Sequence, residues 1–174
     1  KNSGNQTDSG LDRDYITQWS YGIDETWTLL VPNTKGGASV PLTQSETAMK
    51  KADNQFIEVY QQLGQYWGDQ PMTSGPVYVG AFVLMLFFLG AFIVKGPIKW
   101  ALLAATYLSI MLAWGRNFMP LTDFFIDYIP MYSKFRTVAS ILVIAEFTIP
   151  LLAMLGLKEI IDNPKLLDEP EEKK

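Results

Sequence analysis

The stretch PVYVGAFVLMLFFLGAFIV, residues 76–94, carries no charge over 19 residues. A helix rises about 1.5 Å per residue, so this length is close to the ~20 residues that cross a ~30 Å hydrocarbon layer. It predicts a membrane span, and a buried core helix is the poorer reading at that length. The tight turn KGPIK follows at 95–99, with Lys95 and Lys99 in it. A second apolar run, 98–114, is uncharged after Lys99 and carries Trp100 and Trp114 where interfacial anchors sit. A third, 138–157, contains Glu146 and Pro150. Two lysines in so short a loop put that turn in the cytoplasm. Residues 1–75 and 115–137 then lie outside, and the charged tail 158–174 lies inside. The expected fold class is all-α integral membrane: three transmembrane helices, an N-terminal extracytoplasmic helical region (1–75) and an outer loop with an interfacial helix.

Average composition hides this pattern. The chain is 48% hydrophobic and 18% charged, as a soluble domain would be, but its charges are segregated. Residues 1–75 hold nine acids and five bases, 76–137 two acids and five bases, and 138–174 seven acids and four bases. A net charge of −4 with no basic patch argues against a nucleic-acid partner. Without cysteine or histidine there are no disulfides, thiolate nucleophiles, Cys/His zinc sites or Ser-His-Asp triads. No spacing matches a calcium loop or a nucleotide motif, so neither metal nor cofactor is expected. Residue 1 is Lys, with no initiator Met and no signal peptide, and the chain is expected to be a segment of a longer protein whose remaining transmembrane helices complete it.

Between the second and third runs lies WGRNFMPLTDFFIDYIPMYSKFR, residues 114–136, with Asp123, Asp127, Arg116, Lys134, Arg136 and seven aromatic rings. A span does not tolerate these charges, and a solvent loop does not need these rings. If 121–129 is helical, Asp123 and Asp127 share one face toward water while Phe124, Phe125, Ile126 and Ile129 face the interface. Tyr132, Lys134 and Arg136 follow, able to grip a phosphate by charge-assisted hydrogen bonds. Anchoring of the span end to lipid headgroups is an equal alternative for them.

The N-terminal region is read as loops and short helices. Residues 11–30 have helical apolar spacing broken at Gly22, with Asp24 capping the second piece. Residues 31–41 are expected to be a loop, 42–63 a polar helix capped at Thr43 or Ser45, and 66–75 another loop. Asn5 begins a glycosylation sequon. Asp14 and Glu25, within acidic pairs, are weak candidates for a catalytic base or stabiliser; the alternative is an acidic first helical turn. Glu146 is the sharper case. A mid-span carboxylate costs ~2.5–3.5 kcal/mol or more on a lone helix and is expected to face other helices or a wet cavity. Pro150 removes the bond to the Glu146 carbonyl and predicts a kink.

Three stretches together resemble the YfhO-like bacterial integral membrane proteins in their Bacteroidetes form. They are SYGIDETWTLLVPNTKGGAS (20–39), YWGDQPMTSGPVYVGAFVLMLFFLGAFIVKGPIKWALLA (66–104) and WGRNFMPLTDFFIDYIPMYSKFRTVASILVIAEFTIPLLA (114–153). That family is similar to C-type glycosyltransferases. The resemblance implies a multi-pass protein of the bacterial inner membrane that transfers sugar from a polyprenyl-phosphate carrier to a cell-envelope acceptor. It implies that the catalytic part lies outside this fragment, and it places Arg136 at the family's Phe-Arg position. Binding of the carrier phosphate by Arg136 is the expectation drawn here, with Tyr132, Lys134, Asp123 and Asp127 as further substrate-binding candidates. The alternatives are a transporter or flippase-like module with Glu146 on its path, and a structural membrane anchor.

Overall fold

The computed structural model describes residues 6, 7, 10–75 and 77–164. The sequon at Asn5 and the end of the charged tail lie outside the described residues. Short elements come first: β1 (Gln6–Thr7), β2 (Gly10–Leu11), α1 (Arg13–Ile16), a 3-10 helix at Asp24–Leu29, β3 (Gly36–Pro41), α2 (Glu46–Met49), α3 (Ile57–Gln62) and β4 (Gly64–Tyr66). Four longer helices follow: α4 (Ala81–Ile93), α5 (Pro97–Ala113), α6 (Met119–Tyr128) and α7 (Leu142–Asp162). The chain is mostly helical; its described sheet is two antiparallel pairs, β1 with β2 and β3 with β4.

α7 lies between α4 and α5 and packs along both. Leu84 and Phe87 of α4 and Leu142, Ala145, Ile149 and Leu152 of α7 form the buried seam. Gly90 and Gly156 let the backbones of α4 and α7 touch: a Cβ on Gly156 would lie 2.7 Å from Gly90 Cα. The Thr106 and Thr148 hydroxyls, 2.7 Å apart, join α5 to α7. One of these hydroxyls donates to the other, which in turn donates to the carbonyl four residues earlier, Leu102 or Ile144. α4 and α7 run parallel, so the lysine turn (95–99) and Lys158 share one end of the layer. The 11–75 region and the 115–137 segment share the other.

That other end is stitched by backbone. Tyr21 N–H donates to the Ala113 carbonyl at 2.8 Å, and Ala139 N–H to the Trp19 carbonyl at 3.1 Å. At Gly115 (φ 47°) the chain turns by 110° from α5 into Gly115–Tyr128. A β-carbon there would strike Val138 at 2.7 Å, so conformation and space both call for glycine.

Several sequence expectations need correction. The first apolar run is shorter as a helix than its composition suggests: the helix begins at Ala81 and has 13 residues, roughly 20 Å. Val79 N–H is claimed by the Leu29 carbonyl and Gly80 adopts φ 108°, so residues 77–80 belong to the polar layer. One helix, Val138–Asp162 at 25 residues, is long and apolar enough to cross a membrane; the bent pair Pro97–Ala113 plus Gly115–Tyr128 is a second if counted as one span. The 42–63 helix is broken into four short turns, because Ser45 and Asp53 each cap a new start. Residues 36–41, expected as loop, pair with Gly64–Tyr66. Asp24 does not cap its helix; it pairs with Lys35.

The outward faces of the long helices stay apolar. Phe82, Phe88 and Phe92 of α4, Trp100 and Tyr107 of α5, and Phe147 and Met154 of α7 are all at least half exposed.

Candidate functional site

Glu25 is the centre of the polar layer. It sits in the 3-10 helix with only 2% of its surface exposed. The Gly22 N–H donates to its Oε2 at 2.6 Å, and the Tyr66 hydroxyl donates to its Oε1. A longer contact from Asp69 N–H, 3.5 Å, also reaches Oε2. Among the described residues no cation lies within ion-pair distance of this carboxylate. Its solvation is replaced by donors alone, which is how a buried anion is tolerated. Gly68 has to be glycine: a β-carbon there would overlap both Glu25 Oε1 and the Tyr66 hydroxyl.

The hub is held from both sides. The Tyr21 and Thr28 hydroxyls share the Glu25 carbonyl and contact one another. Burial pushes the Tyr21 phenol up to about 12, against a smaller opposing effect of the Thr28 hydrogen bond. The Tyr66 phenol is raised first by burial and then by its bond to Glu25. From the 115–118 turn, Arg116 Nη2 donates to the Asp69 carbonyl at 2.6 Å, and Asn117 Nδ2 bridges the Tyr21 carbonyl (2.9 Å) and Asp69 Oδ2 (3.0 Å). Trp114 Nε1 donates to Thr26 Oγ1 at 2.9 Å. The three stretches SYGIDET, YWGD and WGRN thus converge.

Behind Glu25 is a cavity of about 190 Å³. Its walls come from the 3-10 helix (Glu25, Thr28), Lys35 just before β3, Tyr66 at the end of β4, Thr73 and Val77 before α4, and Thr137, Ala139, Ser140 and Leu142 leading into α7. A second, wholly apolar groove of about 250 Å³ separates α4 from α5, with Phe87, Phe88, Tyr107 and Ile110 as sides and Ile149 of α7 as floor. A wide acidic cleft opens between residues 11–14 and 126–133.

The other candidates are dispersed. Asp14 is exposed in the first turn of α1, on the acidic cleft and remote in role from Glu25. Asp123 and Asp127 do share a face of α6, but they do not simply face water. Both bind Arg13: Nη2 lies 2.6 Å from Asp127 Oδ1, and Nη1 pairs with Asp123. This clamp ties α6 to α1. Tyr132 meets Phe125 edge-to-face at 5.5 Å, and its hydroxyl is buried without a hydrogen-bond partner; burial raises its phenol pKa. Lys134 and Arg136 are exposed, and Arg136 Nη1 donates to the Tyr15 hydroxyl at 3.3 Å. Glu146 is exposed on α7 between Val143 and Phe147, rather than set between the helices of this chain. Among the described residues, no three acidic side chains are placed to hold a metal ion.

Sequence reasoning missed Tyr21, Thr28, Lys35, Tyr66, Arg116 and Asn117. The available signal was the pair of tetrapeptides YWGD and WGRN, whose glycines and alternating polar groups fit neither a span nor a flexible loop. No family model, no curated protein and no solved structure matches the chain.

Proposed function

We propose that the chain is the membrane-embedded part of a glycosyltransferase of the bacterial inner membrane. It takes a polyprenyl-phosphate-linked sugar as donor and a cell-envelope component as acceptor. In this reading α4, α5 and α7 are the three spans, the polar layer is extracytoplasmic, and the lysine turn and the tail are cytoplasmic. α4 is short, and its non-helical approach, residues 77–80, is tied to the Leu29 carbonyl rather than left to lipid.

The observation that carries the reading is the split of the molecule into two solvents. The three helices expose phenylalanine, tryptophan and methionine outward, as a helix surrounded by hydrocarbon does. Among the described residues the polar layer sits on one end, and from it Lys134 and Arg136 reach solvent beside exposed Phe135. A phosphate at the membrane surface meets a cation there, with the carrier chain free to lie against the apolar helices.

Two measurements test this in the intact protein. Arg136→Ala is expected to weaken binding of a polyprenyl-phosphate sugar by roughly tenfold or more; unchanged binding and turnover removes Arg136 from the site. Single cysteines at Ser133 and Gly96 report sidedness. A membrane-impermeant thiol reagent added outside should label position 133 and spare 96, and labelling at 96 reverses the topology.

A further inference from the structure

Resting on that reading, we propose that the cavity behind Glu25 binds a hydroxyl-bearing sugar ring and excludes the phosphate. Electrostatics decides the second half. Glu25 is a buried carboxylate without an ion pair, and Lys35, the cation on the cavity wall, is committed to Asp24. An anionic ligand entering this space meets like charge in a low dielectric, where repulsion is strong. A ligand that brings hydrogen-bond donors is favoured instead. Each carboxylate oxygen accepts about two hydrogen bonds, and Oε1 is given one here, from Tyr66.

The lining supports the first half. The lining offers Glu25, Tyr66 and Thr28 as polar groups and the side chains of Val77 and Leu142 as apolar ones. A pyranose carries hydroxyls on its rim and C–H groups on its faces, so it uses both kinds of wall. An ammonium ligand would satisfy the carboxylate and leave the apolar groups unused. The position fits as well. Thr137, a wall residue, directly follows Arg136, so the cavity begins one residue from the cation assigned to the phosphate. The ring is either the donor's sugar or a sugar of the acceptor, since both offer the same chemistry.

The test uses the intact protein in lipid nanodiscs. Methyl hexopyranosides, a free disaccharide, a short-chain polyprenyl-phosphate hexose and inorganic phosphate are the probes, and saturation-transfer NMR is the readout. Ser140 is an exposed wall residue, so Ser140→Phe closes the cavity without touching the Glu25 hub; Glu25→Gln keeps the shape and removes the charge. Hexosides are expected to bind the wild type, to lose binding in Ser140→Phe, and to weaken roughly tenfold in Glu25→Gln, with phosphate failing to compete. With hexoside binding lost in Ser140→Phe, a parallel loss of the lipid-linked hexose but not of the disaccharide assigns the cavity to the donor; a parallel loss of the disaccharide but not of the lipid-linked hexose assigns it to the acceptor. No hexoside binding, equal binding by wild type and Ser140→Phe, or displacement by phosphate overturns the proposal. Sugar transfer measured alongside separates the two claims. Hexoside binding without any transfer sinks the transferase reading alone, and transfer unaffected by Ser140→Phe sinks the cavity assignment alone.

Discussion

Enlarging Gly156 should force α4 and α7 apart. A β-carbon at Gly156 would lie 2.7 Å from Gly90 Cα, 3.1 Å from Gly90 N and 3.3 Å from the Leu86 carbonyl oxygen. All three are backbone atoms, so no side chain can swing aside, and ordinary contact requires the axes to separate by roughly 1 Å. Overpacking of this kind costs ~1–3 kcal/mol. Alanine recovers up to about 1 kcal/mol through its better helix propensity. The expected net loss is therefore about 1 kcal/mol for Gly156→Ala and about 3 kcal/mol for Gly156→Leu. For a chain of this length each kcal/mol shifts the melting midpoint by roughly 2–4 °C. Thermal unfolding in detergent, followed by tryptophan fluorescence, should show a drop of about 2–4 °C for alanine and about 6–12 °C for leucine. Gly64→Ala is the control, since its added carbon meets nothing nearer than 4.0 Å. A Gly156→Leu protein that melts with the wild type would refute the close crossing.

Two further outcomes follow from the polar layer. The Tyr21 phenol rises on folding from an ordinary 10.0 to about 12, so the folded state holds its proton more tightly than the unfolded chain. Its stabilising contribution is complete below pH 10 and is lost as pH rises toward 12, on the order of 2 kcal/mol; denaturant titrations of wild type and Tyr21→Phe should differ in slope over that window, and parallel curves would contradict the assignment. Arg13→Ala removes a clamp whose members are all about half exposed. It should cost about 1 kcal/mol, less at high salt, and a salt-independent loss above about 3 kcal/mol would show that the pair is effectively buried.

The longest apolar runs were readable because lipid-like patterning is continuous in sequence. α5, α7 and the short α6 carrying Asp123 and Asp127 all lie where hydropathy and spacing put them. The start of the first apolar helix was not readable. Val77 and Val79 look like span residues, and only the distant Leu29 carbonyl draws this segment into the polar layer. β3 and β4 escaped for a related reason: GGASVP has little alternation, and its partner lies beyond two short helices. Glu25 was visible as an acid, but its environment was not. Tyr66 is 41 residues away, and nothing local distinguishes a carboxylate at a helix start from one that organises a buried hub. Arg13 shows the same limit from the other side, since its two acidic partners lie more than a hundred residues along the chain.

The position of α7 between α4 and α5 has a consequence for biogenesis. The two helices made first are joined by a short turn, yet the element that fills the seam between them is made last. A ribosome adding about 5–20 residues per second reaches α7 seconds after the α4–α5 hairpin has formed. During that interval Gly90, Thr106 and the buried face of Phe87 lack the element that covers them. The space that α7 fills lies between the two, and an apolar groove still separates α4 from α5 once it is in place. α7 completes the layer, and the Ala139 N–H bond to the Trp19 carbonyl joins its approach to the N-terminal region.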